Sequence, residues 1–147
     1  MGQAEAIDEL ARAVRRLFHQ LRESAERADS RDRPLPAGQR AVLESLRELG
    51  PQTVPALARM RPVARQHVQL LVNRLLEAGL VAASPNPAHR RSPLYAVTPE
   101  GRARFDGLRR RERRALDALP LAVGARDLRA AAETLEALRA ALAADRG

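Results

Sequence analysis

The strongest constraint on the fold lies between Thr53 and Gly101, where two helix patterns are followed directly by a hairpin pattern. Thr53 is a suitable N-cap for a short helix that ends near Met60. After a tight turn, a second helix is predicted over residues 64–78, with Gly79 as its C-terminal capping residue. Four apolar positions with the spacing i, i+3, i+4 and i+7 predict its buried face: Val68, Leu71, Val72 and Leu75. A short helix, a turn and a longer helix together predict a helix-turn-helix.

The residues that follow predict a β-hairpin of the kind called a wing. Leu80–Ala83 and Leu94–Val97 have the pattern of two short strands. The loop between them, residues 84–93, contains three prolines and places Arg90 and Arg91 near its tip. After the second strand, Thr98 is predicted to cap a further long helix.

The polar face of the second helix predicts a surface that reads DNA, because the second helix of a helix-turn-helix enters the major groove. Gln and Asn amides can pair with adenine, Arg with guanine, and an exposed Leu can contact a thymine methyl group. The candidate reading residues are Arg65, Gln66, His67, Gln69, Leu70, Asn73 and Arg74. The alternative is an ordinary solvated helix face with no partner.

The adjacent arginines Arg90 and Arg91 predict a contact between the hairpin tip and the minor groove, whose negative potential attracts arginine. The alternative is a solvated turn whose arginines contact nothing. A second basic segment, Arg109–Arg114, is expected mainly to face solvent; phosphate contact or pairing with a neighbouring helix is the alternative.

Charge supports a nucleic-acid partner and excludes several other classes of site. The 147 residues include 26 basic residues, all of them arginine, against 18 acidic ones, which gives a net charge of +8. A basic domain of this kind is typical of proteins that bind nucleic acids. The absence of cysteine excludes disulfides and thiolate metal sites. The three histidines are far apart in sequence and no catalytic spacing is present, so we expect no metal, no cofactor and no enzymatic activity.

Two helix patterns near the ends of the sequence each have a narrow apolar stripe with 3-4-3-4 spacing. The N-terminal stripe contains Ile7, Leu10, Val14, Leu17 and Leu21. The C-terminal stripe contains Leu128, Ala131, Leu135, Leu138 and Leu142. Each stripe could pack within one subunit, but long helices on both sides of a compact centre favour a homodimer in which these residues, apart from Ala131, form the interface.

These patterns predict a mainly α-helical chain with a small β-hairpin. A helix over residues 37–49, with Ala41, Val42, Leu46 and Leu49 as its apolar set, is expected to precede the short helix. We predict a single domain divided into dimerisation helices (1–33 and 120–147), a winged helix-turn-helix (34–101) and a long connecting helix (102–119). No apolar segment is long enough to cross a bilayer, so we expect a cytoplasmic protein.

The segment from Thr53 through the hairpin resembles the MarR family of winged helix-turn-helix transcription factors. The wing of that family has a pattern of the form Asp-Pro-x-Asp-Arg-Arg-Ser, and Asn86, Pro87 and Arg90–Ser92 fall on the same frame. Val97–Gly101 matches its closing Leu-Thr-x-x-Gly. Two positions depart from the pattern. His89 stands where the family usually has an Asp that orients an arginine, and Ala64 stands where it usually has a Ser or Thr helix cap.

The resemblance implies a homodimeric DNA-binding regulator, with a repressor as the expected role and a near-palindromic double-stranded operator as its target. It also implies a small-molecule effector, often an aromatic or phenolic acid, that binds between the dimerisation and DNA-binding regions. The sequence has only three Phe, Tyr or Trp residues, which are too few to predict an aromatic-lined pocket: Phe18, Tyr95 and Phe105. The alternative is a winged-helix module for protein interaction or assembly, with incidental DNA binding.

Overall fold

The computed structural model describes residues 2–28, 34–61 and 63–145 and is mainly α-helical. The chain divides into two compact units, one that extends to Leu116 and one that begins at Asp117. The first unit contains five helices and a two-stranded hairpin, and the second contains one helix. Their bounds are α1 Gln3–Ala28, α2 Ala37–Leu49, α3 Val54–Arg59, α4 Arg65–Glu77, β1 Val81–Ser84, β2 Leu94–Val97, α5 Pro99–Asp117 and α6 Ala125–Ala144.

The core of the first unit lies where α2, α3 and α4 meet the base of the hairpin. It contains the four apolar residues predicted for α4, together with aliphatic residues of the other helices and two aromatic rings, Tyr95 and Phe105. Burial of this much apolar surface is the main source of stability for such a unit. The core positions α4, so that its opposite face lies in solvent.

One helix shows a different buried face from the one expected. In α2 the buried apolar residues are Val42, Leu43 and Leu46, whereas Leu49 is 53% exposed. The expected set was wrong at Leu49 because the helix ends there and Gly50, with a φ of 77°, turns the chain away. Leu43 was missed because the buried stripe of α2 is broad enough to include two adjacent residues, Val42 and Leu43.

Helix ends follow the local chemistry of the sequence. Thr53 caps α3 by accepting a hydrogen bond from the Ala56 N–H at 3.2 Å. Thr98 caps α5 through the Gly101 N–H at 3.0 Å, and Pro99 is the first helical residue. Gly79, with a φ of 70°, follows Ala78, the C-cap of α4, and allows the Leu80 N–H to reach the Leu75 carbonyl at 2.9 Å. This arrangement is the Schellman motif that the glycine predicted.

The hairpin is antiparallel and starts one residue later than expected. Val81 pairs with Val97, and Ser84 pairs with Leu94, which leaves a nine-residue loop, 85–93. Outside the hairpin, Gln52 forms an isolated bridge with Tyr95, through hydrogen bonds of 3.0 and 2.8 Å. This bridge ties the wing to the segment that precedes α3.

The two apolar stripes near the chain ends form on helices, as expected. On α1, Ile7, Val14, Leu17 and Leu21 are exposed and Leu10 is half-buried; residues 29–33 of the predicted N-terminal region lie outside the described residues. On α6, Leu128 and Leu142 are exposed, and Leu135 and Leu138 are half-buried. Helix α6 has no fully buried residue. Each stripe is therefore an apolar surface that this chain alone leaves largely uncovered.

Candidate DNA-binding interface

Helix α4 presents a polar face opposite its four core residues. Gln66, Leu70 and Asn73 are exposed on this face, and Gln69 is half-buried at its side. The Gln69 side-chain amide donates a hydrogen bond to Asn73 Oδ1 at 2.9 Å. The remaining candidates, Arg65, His67 and Arg74, are also exposed. The structure therefore brings all seven predicted reading residues onto one accessible side of the helix.

The start of α4 differs from a typical helix start because its N-cap, Ala64, has no side chain that accepts a hydrogen bond. Its carbonyl accepts bonds from the N–H groups of His67 and Val68. The earliest N–H groups of the helix have no side-chain cap and carry the positive end of the helix dipole. This end suits a phosphate of the DNA backbone.

Arg61, in the turn between α3 and α4, anchors the helix-turn-helix to α2. Its guanidinium donates to the Ala41 carbonyl and to Ser45 Oγ, the latter at 2.8 Å. A charge-assisted bond of this kind is stronger than a neutral one. The sequence indicated only a turn at this position. The anchoring contact depends on helix packing that no local pattern reveals.

The wing loop consists of two consecutive turns that share His89. The His89 N–H bonds to the Asn86 carbonyl at 3.2 Å, and the His89 carbonyl accepts from the Ser92 N–H at 3.1 Å. No described residue other than glycine has a positive φ, which is consistent with type I geometry for both turns. Arg90 and Arg91 are the two central residues of the second turn, so both stand at the tip.

Both wing arginines are exposed, but their surroundings differ. Arg90 lines a shallow hollow on the hairpin together with Ala83, Ser84, Pro85, Asn86 and Pro93. Arg91 is not among the residues that line this hollow. The two arginines therefore have different neighbours at the tip.

The base of the wing is closely packed against the start of α5. The Thr98 hydroxyl donates to the Gly79 carbonyl at 2.7 Å, and the Thr98 N–H bonds to the Leu80 carbonyl at 3.1 Å. A Cβ atom on Gly101 would lie 2.0 Å from the Leu80 carbonyl oxygen. Only glycine fits this position without a shift of the backbone.

Three ion pairs connect α2 to α5. Arg40 pairs with Glu112, Glu44 pairs with Arg109 at 3.3 Å, and Arg47 pairs with Asp106 at 2.5 Å. As the residue numbers of the paired side chains rise along α2, those of their partners fall along α5, so the two helices are antiparallel. The positive and negative members of these pairs alternate along each helix. Arg47 and Arg109 also stack on the Phe105 ring, 5.0 and 6.0 Å from its centroid. The basic run from Arg109 thus begins with interhelical pairing, one of the two alternatives considered.

A pocket of about 410 Å³ lies among α1, α2 and the C-terminal half of α5. Phe18, Leu21 and Leu116 contribute apolar walls, and the Arg40–Glu112 pair also lines the pocket. Phe18 is its only aromatic wall; Tyr95 and Phe105 are core residues. His19 contacts Phe18 edge-on at 5.9 Å but does not line the pocket. The family resemblance implied an effector site between the dimerisation and DNA-binding regions, but no local sequence pattern predicts these walls, because they come from three separate helices.

Among the described residues, no group of three or more His, Asp or Glu side chains is arranged to hold a metal ion. In the same part of the chain, no helix is both long enough and apolar enough to cross a membrane.

Comparisons with known proteins agree with the winged helix-turn-helix geometry. A sequence profile of the MarR family matches residues 34–92, from the segment before α2 to the wing tip. The MarR-family transcription regulator SP03579 has a similar structure, with a TM-score of 0.76 and 29% sequence identity over 95% of this chain and 94% of that one. The chain belongs to the MarR family of transcriptional regulators. MarR-family proteins bind DNA and are not enzymes, and in this chain α4 presents polar amides and the wing presents two arginines to solvent.

Two further relatives extend the comparison of this MarR-family chain. The uncharacterized protein Rv2011c of Mycobacterium tuberculosis is 35% identical over 142 residues, which is 95% of this chain and 98% of that protein. The Bordetella bronchiseptica protein BpsR, whose DNA binding is regulated by 6-hydroxynicotinic acid, shares the fold with a TM-score of 0.71. BpsR is 22% identical over 89% of this chain and 98% of its own.

Proposed function

We propose that this chain is a homodimeric transcriptional repressor that binds a near-palindromic operator and is released by a small-molecule effector. The observation that carries the proposal is the pair of surfaces on one winged unit: the polar face of α4 and the two exposed arginines at the wing tip. In each subunit α4 enters the major groove and the wing reaches the neighbouring minor groove. Two such units read half-sites about one helical turn apart, ~34 Å.

Sequence recognition comes from α4. Gln66 and Asn73 can each present an acceptor and a donor to adenine, and Leu70 can contact a thymine methyl group. Arg65 and Arg74 lie beside this face and suit guanine edges or phosphates. The buried residues behind the face support this role, because a helix that is fixed by a core can place its amides accurately.

Affinity that does not depend on base identity comes from arginine. Each phosphate that is neutralised releases counterions, so binding weakens as salt is raised. Arg91 inserts into the minor groove, and Arg90 and the start of α4 contact the backbone. The net charge of +8 supports this division of roles.

Dimerisation uses the apolar stripes on α1 and α6, each of which pairs with a second copy of the chain. The support is that, within the described residues, most side chains of these two narrow apolar lines are exposed. We expect Leu138→Arg to produce monomer or aggregate, with weakened operator binding, because it would bury an unpaired charge. Light scattering at matched concentrations measures the outcome. Glu133→Arg, an exposed position on the same helix, is the control; a stable dimer for both variants would remove Leu138 from the interface.

The effector site is the pocket among α1, α2 and α5. Its volume of about 410 Å³ suits a small organic molecule. The regulation of BpsR DNA binding by 6-hydroxynicotinic acid supports a small-molecule effector here. The Arg40–Glu112 pair lines the pocket and joins α2, which packs on α4, to α5. A ligand that changes this pair would alter the position of the DNA-binding elements relative to α5.

The test of the proposal is selection of bound sequences from a random duplex pool, with and without candidate aromatic acids. We expect an enriched near-palindromic motif that is lost or weakened when an effective ligand is added. Binding that shows no enrichment at any salt concentration would contradict sequence recognition. It would favour the alternative, an interaction module for which DNA is incidental.

A further inference from the structure

Asn86 is the most highly connected residue of the wing loop. Its Oδ1 accepts from the Ala88 N–H at 3.1 Å, and its Nδ2 donates to the Ser92 carbonyl at 3.0 Å. Its own carbonyl accepts from the His89 N–H at 3.2 Å. One residue therefore bonds to three points of the loop, on both sides of the arginines.

The rest of the tip has little else to hold it. Residues 87–91 are all exposed, whereas Asn86 and Ser92 are partly buried at the point where the loop closes. A loop without apolar contacts relies on hydrogen bonds for a defined conformation, and an asparagine at the first position of a type I turn provides one of them. The bond from Asn86 to Ser92 is the side-chain contact that spans the arginine turn.

We propose that Asn86 is a positioning residue for DNA binding: it holds the turn that presents Arg90 and Arg91, and it acts on DNA only through them. The inference rests on the proposed contact between the wing and DNA. Removal of the Asn86 side chain frees the turn, so the arginines must be ordered at the moment of binding. The cost of that ordering reduces operator affinity.

The Asn86 amide makes one bond that an aspartate, the residue that the family pattern has at this position, would not make. An aspartate at position 86 keeps the acceptor for the Ala88 N–H but cannot donate to the Ser92 carbonyl. It also adds a negative charge near Arg90, which lines the same hollow. Asn86→Asp therefore removes the bond that spans the arginine turn while it keeps the bond from the Ala88 N–H.

The experiment is a double-mutant cycle on operator affinity, measured by titration of one selected operator duplex. The variants are Asn86→Ala, Arg90→Ala with Arg91→Ala, and all three together. We expect Asn86→Ala to weaken binding several-fold when the arginines are present, and to have no measurable effect when they are absent. Ser84→Ala is the control, because the Ser84 side chain makes no hydrogen bond in the described structure; it should bind like the wild type.

Each other result has a distinct meaning. Equal weakening by Asn86→Ala in both arginine backgrounds would show that Asn86 acts elsewhere, and would overturn the inference. The inference would also fail if the arginine variant lost affinity while Asn86→Ala did not. An arginine variant that binds like the wild type would overturn the wing contact and this inference together. Thermal melting of every variant separates positioning from stability: we expect unchanged melting temperatures, and an affinity loss in Asn86→Ala that is accompanied by a lowered melting temperature would overturn the inference.

Discussion

Helix α4 and the wing tip both present polar side chains to solvent, but the two regions are held by different interactions. Helix α4 buries four aliphatic side chains, none more than 8% exposed, and ends in a glycine motif. The tip, residues 87–91, buries nothing and depends on hydrogen bonds centred on Asn86. A helix fixed by a core can place amides at base edges. A loop held by a few bonds suits a charge contact that tolerates small shifts.

The largest effect should follow from damage to the support of α4. We expect Leu75→Ala to lower the free energy of unfolding by about 2–5 kcal/mol, because Leu75 is fully buried and its removal leaves a cavity. Pro87→Ala at the wing tip should change stability by less than about 0.5 kcal/mol. Chemical denaturation of both variants checks this contrast. Similar losses would mean that the tip contributes to the core as much as α4 does.

The base of the wing should behave like the core and unlike the tip. Gly101→Ala places a methyl group against the Leu80 carbonyl, and we expect a loss of about 1–3 kcal/mol as the start of α5 shifts. Gly107→Ala, on the same helix, is a matched control, since its Cβ would meet only arginine side-chain ends at 3.8 and 3.9 Å. It should be neutral or stabilising by up to about 1 kcal/mol, because alanine favours helix. Thermal melting distinguishes them; equal losses would remove the role assigned to the Leu80 contact.

The smallest effect should be at the centre of the tip. His89 contributes its backbone N–H and carbonyl to the two turns, and an aspartate can keep both bonds. We expect His89→Asp to change operator affinity by less than about fivefold, because an exposed ion pair with a wing arginine contributes roughly 0–1 kcal/mol. Titration at three salt concentrations measures the change. A loss as large as that caused by Arg91→Ala would show that the tip tolerates less than we infer.

The same contrast explains which features could be predicted from the sequence. The buried face of α4 and its glycine end follow from periodicity and local chemistry, and both were predicted correctly. Leu49 was placed in the apolar face wrongly, because periodicity does not show whether another element covers the last turn of α2. The anchoring by Arg61 and the pairing of Arg40 with Glu112 join segments whose approach depends on the whole fold. Position in the sequence alone could not reveal them.

The central claim is that α4 distinguishes sequences whereas the wing adds affinity without regard to the bases under α4. The most direct measurement is a titration of two duplexes, the selected operator and an operator altered only at the major-groove positions of its half-sites. Each duplex is titrated with the wild type, with Asn73→Ala and with Arg91→Ala. Asn73→Ala should lose about 1–3 kcal/mol of preference for the intact operator. Arg91→Ala should weaken binding to both duplexes by a similar factor, with a salt slope lower by about one unit. A preserved preference in Asn73→Ala together with a lost preference in Arg91→Ala would contradict the account.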